Sequence, residues 1–208
     1  MKRTRVKVCG ITRPVDAVAA AELGVDAIGL VFYPKSPRFV TAEQAAEIVS
    51  ALPPFVSTVA LFMDAQDAAI REVLAQVPID VLQFHGDEFP ADCNTYGRPY
   101  FKAIGMKGNT DILSYAATYP NAQGYLLDSH APGEAGGTGQ SFSWSEMPEL
   151  PRAMILAGGL RPENVAEAVR LVRPYAVDVS SGVESSPGIK DSGLMQAFIS
   201  EVRKADEE

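Results

Sequence analysis

What most constrains this 208-residue chain is a regular alternation of short β-branched-rich runs with helical stretches, sustained from one end to the other. Strands are predicted near 5–10, 27–32, 57–63, 80–85, 100–105, 124–128, 153–158 and 176–181. Helical patterns lie between them at Asp16–Leu23, Ala42–Leu52, Ala65–Gln76, Pro162–Val172 and Ser192–Lys204, with a less regular one at Thr110–Tyr119. Thr12 before Arg13-Pro14, Thr41 before Ala42 and Arg161 before Pro162 read as helix starts. The stretch Ser129–Pro151 reads as mostly irregular, and Phe142–Leu150 is short for a full crossover helix. Eight units over 208 residues give 26 residues each, enough for a strand, a helix and two short loops. The expected fold is α/β: one (β/α)8 TIM barrel of near-minimal size, residues 1–208, with no second domain. An open doubly wound sheet is the alternative. The barrel is preferred because eight strands close without edges and no Gly-x-Gly-x-x-Gly follows the first strand.

Strand alternation then assigns directions. Val6 and Val8 suit the helix side of strand one, which turns Lys7 and Cys9 inward. Val177 and Val179 do the same on strand eight and turn Asp178 and Ser180 inward. First and last strands are neighbours in a closed barrel, so Lys7 and Asp178 are expected to pair beneath the site. An unpaired buried charge costs far more than a pair; the alternative is that each is solvated at a strand end.

Composition narrows the classes of function. A net charge of −8 argues against a nucleic-acid surface, and any anionic ligand needs a local site. No apolar run approaches the roughly 20 residues that span a bilayer. The basic start Met1–Arg5 leads into an alternating strand pattern rather than a signal-peptide core. With Cys9 and Cys93 the only cysteines, a disulfide framework is not expected and a cytoplasmic setting is. Two histidines and no cysteine pair disfavour a metal centre.

Barrel active sites lie on the carboxyl face of the strands. Cys9 and Asp128 end two apolar runs there, as Val6–Thr12 and Tyr125–Ser129 show. Cys9 reads either as an inert core thiol or, beside Lys7, as a thiolate base or nucleophile. Asp128 reads as a capping or ion-paired carboxylate, or as an acid. Arg38, in the Pro-bracketed loop Tyr33–Arg38, can offer a guanidinium fork to a carboxylate. His85 is a spectator or a pocket-lining residue, and inward-pointing Gln83 needs only a hydrogen-bond partner. Gly158-Gly159 and Ser181-Gly182 follow strands seven and eight, where barrels often bind phosphate through backbone amides, although Gly-Gly more often marks a turn alone.

In order, these segments resemble those of the phosphoribosylanthranilate isomerases of tryptophan biosynthesis. The likeness runs from about Val6 to Phe198. It includes Lys7–Thr12, Phe32–Arg38, Leu82–Gly86, Leu127–Ser129, and Gly136-Gly137-Thr138-Gly139 with Phe142 and Trp144. It continues through Leu156–Leu160 with Asn164-Val165, and Asp178–Glu184 with Pro187-Gly188 and Lys190-Asp191. The resemblance implies an Amadori rearrangement of N-(5-phosphoribosyl)anthranilate, with Asp128 as general acid, Cys9 as general base and no cofactor. It further implies that Arg38 clamps the anthranilate carboxylate, that Gly158, Gly159, Ser181 and Gly182 hold the phosphate, and that Gly137 belongs to a mobile loop over the pocket. Such barrels occur as monomer or homodimer. Competing expectations are an aminoimidazole-ribonucleotide sugar isomerase, which uses two aspartates, a non-catalytic phosphate-ligand barrel, and a thiol redox protein using Cys93.

Overall fold

A computed structural model describes residues 3–106, 111–129 and 147–208. Eight parallel strands close into a barrel in chain order: β1 Arg5–Cys9, β2 Ala27–Val31, β3 Ser57–Phe62, β4 Val81–Phe84, β5 Tyr100–Gly105, β6 Gly124–Asp128, β7 Ala153–Leu156 and β8 Ala176–Val179. The helices are α1 Pro14–Glu22, α2 Ala42–Ser50, α3 Asp67–Gln76, α4 Pro90–Cys93, α5 Ile112–Ala117, α6 Val165–Val172 and α7 Ser192–Glu207. β1 closes against β8 with Lys7 in register with Asp178.

Two apolar layers follow from the period of two. Val6, Val8, Val177 and Val179 pack outward with α7 residues such as Phe198 in the layer between sheet and helices. Val59, Phe101, Ala103, Leu126, Ile155, Ala157 and Ala176 fill the barrel interior. Closure leaves no sheet edge exposed, and each fully buried large apolar side chain contributes about 1.5–3 kcal/mol.

The helix starts differ from the sequence reading at two of three places. Thr41 caps α2 in a reciprocal capping box with Gln44. Thr12 does not cap α1: the cap position is Arg13, and the Thr12 hydroxyl donates instead to Gly188 O at 2.5 Å. Arg161 does not open α6 either. Asn164 is its cap residue, because the Asn164 side chain first closes a turn, accepting from Arg161 N and donating to Gly159 O. Two further regions differ from the sequence reading. The crossover after β4 holds only the single-turn α4. After β8, a 3-10 turn Ser181–Val183 leads into an antiparallel hairpin, β9 Glu184–Ser186 and β10 Ile189–Lys190. Its turn is Pro187-Gly188, and Gly188 at φ +81° supplies the left-handed conformation that a type II turn demands. Residues 147–150 carry no helix; the rest of the 142–150 segment lies outside the described residues.

Candidate active site

The carboxyl ends of the strands surround a cleft of about 870 Å3, counted out to its open mouth. Cys9, Arg38, His85, Asp128, Gly158, Gly159, Asp178 and Ser181 all line it. Gly182 lies just behind, in the 3-10 turn, packed so closely on Leu160 O that a Cβ has no room. Gly137 lies outside the described residues.

Cys9 ends β1, and Gly29 on the neighbouring strand makes space for it: a Cβ there would come within 2.7 Å of Cys9 Sγ and 3.0 Å of Lys7 Nζ. Lys7 Nζ donates to both oxygens of Asp178 at 2.9 Å, and both residues are buried. Burial by itself would lower the Lys7 pKa, but the charges of Asp178 and Cys9 outweigh it and hold it above the ordinary lysine value. Burial also pushes Asp178 upward against the pull of Lys7. The two short bonds favour the ion pair, so the raised Lys7 is the governing direction.

Lys7 is not the only influence on Cys9. Burial pushes the Cys9 thiol above its ordinary value, Lys7 pulls it down, and Asp178 pushes it back up. A lysine already sharing its charge with a carboxylate cannot fully offset desolvation, so the net direction is upward. Cys93 is no redox partner. It is a free thiol in the layer between sheet and helices, whereas Cys9 faces the cleft.

Asp128 ends β6 and is 5% exposed. His85 Nε2 stands 3.5 Å from Asp128 Oδ2, and Ser129 Oγ donates to Asp128 Oδ1 at 3.4 Å. Gln83 Nε2 lies 2.9 Å from His85 Nδ1. As the amide is oriented, Gln83 donates, which leaves the ring proton of a neutral His85 on Nε2, facing Asp128; this tautomer follows from the assigned amide. Gln83 Oε1 makes no hydrogen bond among the described residues.

Gly158 and Gly159 adopt φ +81° and +65°, and a Cβ on Gly158 would collide with Ser129. Their N–H groups donate no backbone hydrogen bond among the described residues. A left-handed pair of this kind exposes successive amides, a geometry suited to oxyanions.

Arg38 is where the sequence reading was least complete. Its fork is already engaged by the chain's own Glu184: Nε to Oε1 and Nη2 to Oε2, both 2.8 Å. Lys190 Nζ reaches the same carboxylate at 2.7 Å and also donates to Ser180 O at 3.1 Å. Burial would raise Glu184, but Arg38 and Lys190 together hold it below the usual carboxylate range. Gly10, at φ +76°, permits this packing, since a Cβ there would strike the Arg38 side chain. Sequence reading recorded Glu184 and Lys190 without a role; the Pro187-Gly188 turn between them was the available sign that they face each other.

It also passed over Lys102, a lysine inside the apolar run of β5. This side chain is fully buried on the helix side of the sheet. Its Nζ donates to Gly86 O, Phe84 O and Ala103 O, stands 3.4 Å from Glu88 Oε2, and lies over the Tyr119 and Tyr115 rings. Glu88 in turn accepts from Gly86 N. Lysine and glutamate together thus hold the turn that follows His85. No group of three or more His, Cys, Asp or Glu among the described residues could hold a metal.

Comparison with known proteins identifies the family. A sequence model of the family described as N-(5'-phosphoribosyl)anthranilate (PRA) isomerase matches residues 6–201. The N-(5'-phosphoribosyl)anthranilate isomerase of Azotobacter vinelandii is 56% identical over 206 residues, covering 99% of this chain and 100% of that protein. One solved phosphoribosyl anthranilate isomerase is in complex with reduced 1-(o-carboxyphenylamino)-1-deoxyribulose 5-phosphate. It superposes with a TM-score of 0.84 at 39% identity, over 97% of this chain and 99% of that one. Another structure shows monomers of the dimeric Thermotoga maritima enzyme, with a TM-score of 0.83 at 37% identity and the same coverage. With a full-length match in both sequence and fold, the chain belongs to the N-(5'-phosphoribosyl)anthranilate isomerase family, the isomerases of tryptophan biosynthesis.

Proposed function

We propose that this cleft converts N-(5'-phosphoribosyl)anthranilate to 1-(2-carboxyphenylamino)-1-deoxyribulose 5-phosphate, with Asp128 as general acid and Cys9 as general base. The observation that carries the reading is that Cys9, Asp128 and Arg38 line one cleft at the carboxyl end of the barrel. Asp128 protonates the ribose ring oxygen, the ring opens, and the anthranilate nitrogen becomes an iminium. Cys9 then takes the proton from C2 of the sugar, giving an enolamine that tautomerises to the ketone. The base step needs Cys9 as the thiolate, which burial disfavours and Lys7 favours. A cationic iminium in the cleft favours the thiolate at the step that needs it, in addition to the pull of Lys7. Only protons move, and the chemistry calls for no cofactor.

The remaining roles follow the shape of the substrate. Arg38 meets the anthranilate carboxylate, and the amides at Gly158, Gly159, Ser181 and Gly182 wrap the phosphate. His85 lines the cleft beside Asp128, and Lys7 and Asp178 support Cys9 from below. The partner is thus a small phosphorylated molecule, handled by a single barrel domain in the cytoplasm. Among the described residues no helix is long and apolar enough to cross a membrane. The protein is a monomer or a homodimer, which a light-scattering mass decides. Phosphoribosylanthranilate is fluorescent, so its disappearance reports turnover. Purified protein is expected to consume it without added metal or cofactor, and absence of turnover would overturn the proposal.

A further inference from the structure

Glu184 and Lys190 are not among the residues that line the cleft, yet they form a buried charge cluster with Arg38. The Glu184 side chain is 4% exposed and that of Lys190 is fully buried. Glu184 occupies the Nε and Nη2 edge of the guanidinium, whereas Nη1 donates to nothing among the described residues, and Arg38 lines the cleft. An arginine tied two-to-two with a glutamate is nearly neutral as seen by an incoming anion. Lys190, 2.7 Å from the same carboxylate, changes that balance. Two cations against one carboxylate leave one net positive charge, presented on the open edge of Arg38. The β9–β10 hairpin builds the arrangement by pairing Glu184 with Lys190 across its turn.

We propose that Glu184 and Lys190 are positioning residues for carboxylate selection: Glu184 fixes the plane of the Arg38 fork, and Lys190 cancels the charge of Glu184 so that the fork still attracts a substrate carboxylate. This rests on the reading of Arg38 as the carboxylate site. Glutamate is needed because only a bidentate partner holds the fork in one plane. Lysine is needed because an uncompensated glutamate would repel the same substrate group.

The test measures Kd for two ligands by calorimetry: reduced 1-(o-carboxyphenylamino)-1-deoxyribulose 5-phosphate, and its phenylamino counterpart without the carboxylate. Lys190→Met is expected to weaken the first by about tenfold and leave the second unchanged. Adding Glu184→Gln to Lys190→Met restores the net charge but leaves the fork a single acceptor, so it should recover part of that loss. If Lys190→Met does not fold, Lys190→Gln takes its place in both arms. Equal weakening of both ligands would overturn the proposal, because Lys190 would then act only by bracing Ser180 and the turn after it. So would a double variant no better than the single one. A wild-type protein that binds both ligands equally would remove the carboxylate role of Arg38 itself, and the inference with it.

Discussion

Asp178→Ala isolates the buried support under Cys9. It strips the partner from a lysine whose side chain is 6% exposed and whose two short bonds both go to that carboxylate. Breaking a buried pair by removing one member costs about 3–5 kcal/mol, since the remaining charge stays desolvated. With a urea m-value of about 2–3 kcal/mol/M for a chain of this size, the unfolding midpoint should fall by roughly 1–2.5 M. The apolar double variant Lys7→Met/Asp178→Leu removes both charges and should return to within about 1 kcal/mol of wild type. A second signal accompanies the first. Asp178 raises the Cys9 pKa and Lys7 lowers it, so Asp178→Ala leaves the lysine to act alone. Alkylation of Cys9 by iodoacetamide should then shift to lower pH. A midpoint unmoved by Asp178→Ala, together with an unchanged alkylation profile, would show that the pair neither stabilises the barrel nor tunes the thiol.

Arg38→Ala should chiefly raise KM, by about 10–100-fold, as expected for losing a hydrogen bond between charged groups; steady-state kinetics separate this from an effect on kcat. Burial pushes the Cys93 thiol from 9.0 to about 12, so between these values the unfolded chain releases a proton that the native one keeps. Stability should therefore fall as pH rises from 9 to 12, by at most about 1.4 kcal/mol per pH unit from this residue. Urea titrations across that range should show a shallower slope for Cys93→Ala. Gly158→Ala places a side chain at φ +81° and against Ser129, the neighbour of Asp128. It should cost about 1–3 kcal/mol in stability and lower turnover as well, read by thermal unfolding and the fluorescence assay.

The barrel was legible because its determinants are local. β-branched runs with a period of two, recurring every 26 residues, dictate both the strands and the inward direction of Lys7, Cys9 and Asp178. Where a contact spans the chain and strand register does not dictate it, the sequence was mute. Thr12 resembles a cap until Gly188, 176 residues away, takes its hydroxyl. Arg38 resembles a free fork until Glu184, 146 residues on, occupies it. Lys102 sits in an apolar strand with no local sign that carbonyls of the adjacent β4 end will surround it. The protonation of Cys9 depends on burial and on a charge balance among Lys7, Asp178 and Lys190, none of which spacing alone expresses.

The acid–base assignment is tested most directly by the rate of phosphoribosylanthranilate consumption at saturating substrate for Cys9→Ser and Asp128→Asn. General acid–base groups contribute about 10²–10⁴-fold, so each variant should lose at least 10²-fold while unfolding at close to the wild-type temperature. A folded variant that keeps the wild-type rate would contradict the role given to the residue it replaces.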